Sequence, residues 1–314
     1  MSRRGRQAWA WTISALATLP AAAQAPVFST EVKLVRLAVT VRDEAGALVG
    51  GLPQDAFRIF DSGVPQQVAV FEKSTLRPLS VAILLDASGS TARVLPESVA
   101  AVRAFCQALW REGNPEDVAA LYAFNHEVTQ MVPFTRRRER LEDGLKRIRP
   151  EAGTSLYDAM QFASLDLMAR EGRRVIVLVT DGSDTTSATT LPEATRTAQR
   201  AEVSVFPILL VPIQSQAGYN VGGENALTII ATRTGGQVQL ASRGAELSRA
   251  FTRILEDLRT QYLLGYYPRS LPPSPGGFRE VRVEIVAPAE RKLRAVTRSG
   301  YYEEARGPSR PWRP

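Results

Sequence analysis

Three stretches of this chain are apolar at nearly every consecutive position, and they constrain the fold more than anything else in it. Val81-Ala82-Ile83-Leu84-Leu85, Val175-Ile176-Val177-Leu178-Val179 and the run from Val203 to Val211 offer almost no polar face to water. A strand that reads this way is buried on both sides, as in parallel sheets covered by helices on each face. The intervening segments supply those helices. Pro96 to Trp110 places Val99, Val102, Phe105, Cys106 and Leu109 at helical spacing. Arg138 to Ile148, Leu156 to Ala169, Pro192 to Ala201, Asn225 to Thr234 and Glu246 to Thr260 are read the same way. Gly235-Gly236 is the favoured kind of stop after Thr234. Val118 to Phe124, Val128 to Phe134 beside it, and Val238 to Leu240 add further strands. The alternation predicts an α/β domain over residues 79–260, a doubly wound, Rossmann-like sheet.

Both flanks change character. Val32 to Val41 alternates apolar and polar residues, and Ala56 to Phe60 leads through Asp61-Ser62-Gly63 into Val64 to Phe71 as strand, turn and strand. After the α/β segment, Tyr262 to Tyr267, Arg279 to Val286 and Lys292 to Thr297 are predicted strands, with a Pro/Gly-rich loop from Leu271 to Gly277. Each half leaves open edges when taken alone, and pairing removes them. Residues 26–76 and 261–302 are therefore expected to form one small β-sandwich with the α/β domain inserted between them. Residues 303–314, with three prolines, are expected to be a disordered tail.

The opening residues read as an export signal. Arg3, Arg4 and Arg6 precede a short apolar run from Ala8 to Leu19, and Ala21 to Ala23 offer a small-residue cleavage site, placing the signal at residues 1–23. No other stretch approaches the roughly 20 apolar residues of a membrane-spanning helix. The expected mature chain is thus exported, periplasmic or secreted, with no transmembrane segment. The formal charge of +7 includes the three leader arginines, and the rest are spread along the chain. Arg136-Arg137-Arg138 is the densest cluster and reads as a solvated helix start. Nucleic-acid binding would need a focused basic patch, so it is excluded. Cys106 is the single cysteine, read as a small buried hydrophobe, and permits no intrachain disulfide. His126 is the single histidine, which rules out a His-rich zinc site.

Three loops carry the chemistry. Asp86-Ala87-Ser88-Gly89-Ser90 follows the first buried strand, Gly153-Thr154-Ser155 precedes a helix, and Thr180-Asp181-Gly182-Ser183-Asp184 follows the second buried strand. In an open α/β sheet, ligands bind outside the carboxyl ends of the strands. A donor set of Asp86, Ser88, Ser90, Thr154 and Asp181 is all oxygen, which suits a hard cation: Mg²⁺ best, with Mn²⁺ or Ca²⁺ possible. The plainer reading is that Asp86 and Thr154 cap helices, as their residue types favour. His126 reads as a surface residue or a rim contact, and Tyr219 and Asn220 as loop residues or rim.

This pattern resembles the von Willebrand factor A family. Asp86-x-Ser88-x-Ser90, then Thr154, then Asp181-Gly182 match that family's metal-ion-dependent adhesion site over a resemblance running from about Leu79 to Arg259. The flanks, with VTVRDEAGALVGGLPQDAFRIFDSGVPQQVAVFE at the start and QYLLGYYP and SGYY near the end, are similar to acidobacterial-type exported members. The resemblance implies that Ser88, Ser90 and Thr154 bind the ion directly, and that Asp86 and Asp181 hold it directly or through water. It further implies an open position that accepts a Glu or Asp of a partner protein. Ser155, Asp158, Ser183 and Asp184 are near enough in sequence to act in support. The expectation is a non-enzymatic, metal-dependent protein-binding module. A structural envelope protein whose metal fastens the loops is the first alternative. A metal-dependent phosphohydrolase with Asp86 as nucleophile is the second, and it lacks an evident base.

Overall fold

A computed structural model of the protein describes residues 34–73, 77–211, 220–242, 244–286 and 292–303. The leader, Tyr219 and the tail beyond Glu303 lie outside the described residues. The chain opens with strands β1 (Val35–Arg42), β2 (Phe57–Asp61), β3 (Val64–Gln66) and β4 (Val70–Lys73). The α/β segment then runs β5 (Leu79–Asp86), α1 (Leu95–Glu112), β6 (Val118–Phe124), β7 (Val128–Thr135), α2 (Arg138–Arg147) and α3 (Leu156–Met168). It continues with β8 (Arg173–Thr180), α4 (Leu191–Arg200), β9 (Val203–Leu210), α5 (Val221–Thr234), β10 (Gln239–Ala241) and α6 (Ala245–Thr260). Strands β11 (Tyr262–Tyr266), β12 (Phe278–Ile285), β13 (Arg294–Val296) and β14 (Gly300–Tyr302) close the chain.

The central sheet has the order β10-β9-β8-β5-β6-β7. All neighbouring pairs are parallel except β6 with β7. Every residue of β5 is buried, as its unbroken apolar run requires. Because successive side chains alternate, Val81, Ile83 and Leu85 join the core under α1 and α6, while Ala82 and Leu84 join the one under α3, α4 and α5. The chain proceeds outward from β5 through β6 on one side and from β8 through β9 on the other. The order therefore reverses between β5 and β8, the place where open α/β sheets form a crevice.

The flanking strands from the two ends of the chain pair with each other. One sheet has the order β13-β1-β11-β4 and the other β14-β12-β2-β3, and they share one apolar core that includes Leu37, Ile59, Leu264 and Val283. Asp61, completely buried, accepts hydrogen bonds from the hydroxyls of Tyr266 at 2.7 Å and Tyr301 at 2.9 Å, so three strands from both ends of the chain meet on one carboxylate. This is the α/β class with two additional antiparallel sheets that the alternation and the flanks predict.

Two details differ from the sequence expectation. The strand expected over Val64 to Phe71 is two strands in different sheets: β3 completes a hairpin with β2, and β4 pairs with β11. Gln66, the last residue of β3, marks the crossing, and its side chain bonds backbone groups at Arg269. Strands that switch sheets make the corners of sandwiches. The second difference is β14, which pairs with β12 just after the last expected strand.

Candidate functional site

Asp86 is the last residue of β5 and is 1% exposed. Its Oδ1 accepts the backbone N–H of Ser88 at 2.9 Å, and its Oδ2 accepts the Thr180 hydroxyl at 2.6 Å. Among the described residues it makes no ion pair with Lys, Arg or His, and its nearest charged influence is another carboxylate, Asp181. Burial therefore pushes the Asp86 carboxyl above the usual aspartate range, against the lowering effect of the Ser88 and Thr180 hydrogen bonds. Two carboxylates close enough to feel each other, one of them buried and unpaired with a cation, form a site short of positive charge.

The hydroxyls stand beside it. Ser88 is buried and Ser90 exposed, and their Oγ atoms lie 3.0 Å apart. Ligands of an octahedral Mg²⁺ at about 2.0–2.1 Å have neighbouring oxygens about 3 Å apart, so this spacing fits two adjacent positions of such a shell. Thr154 is buried. Its backbone N–H donates to Thr185 Oγ1 at 2.9 Å and its carbonyl accepts from Thr185 and Thr186, while its own hydroxyl makes no hydrogen bond among the described residues. Asp181 Oδ1 accepts the N–H of Ser183 at 3.0 Å, an Asx-type turn that fixes the loop after β8.

The loops are fastened to one another by backbone bonds. Glu151 N–H donates to Ala87 O at 2.9 Å, and Ser155 N–H donates to Asn125 O at 2.6 Å. Gly182 packs directly on Gly223 near the start of α5: a Cβ on Gly223 would lie 2.3 Å from the Gly182 carbonyl oxygen. Asn220 caps α5 by accepting from Gly223 N–H and donates to Ser183 Oγ at 3.3 Å. Neither Asp86 nor Thr154 caps a helix, for α1 has Val94 at its N-cap and α3 has Ser155. The capping explanation for these residues therefore falls.

The supporting residues act on the loops. Ser155 Oγ donates to His126 O and contacts Thr186 Oγ1, Asp184 accepts from Tyr157 N–H and the Ser187 hydroxyl, and Asp158 accepts from the N–H groups of Ala188 and Thr189. His126 stands at the surface with its side chain 49% exposed, 3.7 Å from a Glu151 carboxylate oxygen. Sequence reasoning missed Thr91 and the role of Thr180. Thr91 Oγ1 donates to the carbonyl oxygens of Asp86 and Ser88, and Thr180 holds Asp86 Oδ2 while accepting Gly182 N–H. A polar residue directly after the apolar run Val175–Val179 is the signal that could have found Thr180.

Among the described residues, no group of three or more His, Cys, Asp or Glu side chains gathers as a metal site. An ion at the β5–β8 crevice would have to lean on hydroxyls as well as on Asp86 and Asp181. Residues 81–183 match the family model described as von Willebrand factor type A domain. The chain carries a von Willebrand factor type A domain. Proximal thread matrix protein 1 from the mussel byssus is 16% identical with a TM-score of 0.50, over 63% of this chain and 51% of that one. At that identity the likeness is one of fold. The conserved hypothetical protein BatB from Bacteroides thetaiotaomicron is 18% identical (TM-score 0.45, 57% of this chain and 98% of that one). The von Willebrand factor domain of the type V pili tip protein Mfa5 from Porphyromonas gingivalis is 15% identical (TM-score 0.48, 57% and 94%). No curated protein sequence matches the chain. Domains of this family commonly serve in protein binding. Among the described residues no helix is long and apolar enough to cross a membrane.

Proposed function

We propose that this is an exported, non-enzymatic binding protein whose von Willebrand factor A domain captures an acidic residue of a partner protein through a divalent cation, Mg²⁺ by preference. The single observation that carries the reading is the buried Asp86, which has no Lys, Arg or His partner among the described residues, beside the Ser88 and Ser90 hydroxyls 3.0 Å apart. A bound divalent cation supplies positive charge and a coordination position for the partner's carboxylate. Ser88, Ser90 and Thr154 supply uncharged oxygens that leave most of that charge available. Asp86 and Asp181 balance it. Thr180 and the Ser88 N–H occupy one face of each Asp86 oxygen, which orients the carboxylate and suits it to act through a coordinated water.

The same hydrogen bonds argue against Asp86 as a nucleophile, since both of its oxygens are already engaged. They also favour binding over a purely structural ion, because the loops are joined to one another by backbone bonds that need no metal. The test is capture from envelope extract in Mg²⁺ or in EDTA, with Asp86→Ala as the control. Capture is expected in Mg²⁺ alone and to be lost in the variant. Equal capture in EDTA would refute the proposal.

A further inference from the structure

At the other end of the central sheet, a cavity of about 410 Å³ opens where the α/β domain meets the sandwich. It is lined by the first residues of β8 and β9, by β1 and β11, and by Gln261 between α6 and β11. Five arginines face it: Arg36, Arg77, Arg173, Arg174 and Arg298. The acidic residues of the lining are two, Glu171 and Glu202.

Two of the five, Arg77 and Arg298, have carboxylate partners, and Arg36, Arg173 and Arg174 make no ion pair among the described residues. Arg298, 8% exposed, reaches Glu202 at 3.3 Å and Arg36 O at 2.8 Å, and its Nε is buried without a hydrogen-bond partner. Arg173, equally buried, donates to Leu258 O and to the Gln261 side chain, both uncharged. Arg174 donates to the carbonyls of Arg170 and Ala201. Arg77 pairs with Glu72 at 2.8 Å, and Arg36 is exposed with no ion pair among the described residues. Arg173 and Arg298 are the buried members, and gathering guanidinium groups in excess of carboxylates around one cavity is costly unless an anion joins them. Arginine's planar fork suits phosphate oxygens, and a cavity of this size lies in the range of small-ligand sites, which favour domain boundaries.

We propose that this cavity binds a small anion carrying more than one phosphate group, at a site separate from the Asp86 crevice. The excess of guanidinium over carboxylate calls for a multiply charged ligand. The lining comes from both the inserted domain and the sandwich, so the bound anion ties the two together. Arg173 agrees with this: burial pulls its pKa down to about 10, only partly offset by the charge of Asp117, and an anion in the cavity would relieve the remainder.

The test is calorimetry of the full chain with pyrophosphate, in EDTA and low salt, so that the outcome is independent of the metal proposal. One saturable site is expected, with inorganic phosphate and citrate both weaker. Arg36→Glu, at an exposed position, should weaken pyrophosphate at least about tenfold, as two lost charge-assisted bonds would. Arg140→Glu, the same charge change on the exposed face of α2, should leave it within about twofold. Arg174→Gln gives a second reading, with a melting curve to verify folding. Citrate binding as tightly as pyrophosphate would overturn the phosphate assignment. The absence of a saturable site, or equal weakening by Arg36→Glu and Arg140→Glu, would overturn the site.

Discussion

Asp86 is held by two opposing demands. The fold buries it, which favours its protonated form, while Ser88 and Thr180 offer hydrogen bonds that favour the charged form. Burial wins, so the folded chain holds this proton more tightly than the unfolded one. It follows that the contribution of Asp86 to metal-free stability is fully present below the ordinary aspartate range and is lost as pH rises through the raised value. A cation needs the charged form, so the stabilisation it brings should grow over the same rise in pH. Melting curves in EDTA and in Mg²⁺ across that range should therefore diverge, and parallel curves would contradict the assignment. Asp86→Asn should raise the metal-free melting temperature at neutral pH by a few degrees, equivalent to about 1 kcal/mol, and remove the response to Mg²⁺. Thr180→Val should act in the reverse direction, costing about 1–3 kcal/mol by stripping a hydrogen bond from a buried carboxylate.

The crevice depends on how its strands and helices end. Helix α5 can approach the loop after β8 because Gly182 and Gly223 touch backbone to backbone. Gly223→Ala should force that loop away, destabilise the fold by about 1–3 kcal/mol and weaken Mg²⁺ binding by roughly tenfold or more. Denaturant titration and calorimetry would read the two effects. Elements of this kind were the most legible in the sequence. The apolar runs of β5, β8 and β9 announce a parallel sheet, and β6 begins and ends where its pattern does. The placing of Asp86, Ser88, Ser90 and Asp181 at or just after the carboxyl ends of buried strands was also readable. What escaped depends on partners distant in the chain. The break between β3 and β4 follows Gln66, whose side chain bonds to Arg269, and β14 exists because β12 has a free edge beside it. Nor does local patterning show that Thr185 and Thr186 would grip Thr154, or that arginines from β1, β8 and the end of the chain would share one cavity.

At the scale of the whole molecule, both ends of the chain are needed to build the sandwich. Asp61 of β2 receives hydroxyls from β11 and β14, and burial, reinforced by the same carboxylate, pushes both tyrosines above their ordinary range. Tyr266→Phe should cost about 1–3 kcal/mol, visible in chemical denaturation, while leaving Mg²⁺ affinity unchanged. The α/β domain joins this sandwich through β4 and β11, which are hydrogen-bonded neighbours with Lys73 opposite Tyr262. Tension applied through the α/β domain would consequently draw on both tethers from the same end and in the same direction. The rungs between them would feel little sliding. The resistance would come instead from the rungs joining β11 to β1, which must shear together over five consecutive residue pairs rather than unzip singly. Such an attachment would share a pull among all five pairs at once.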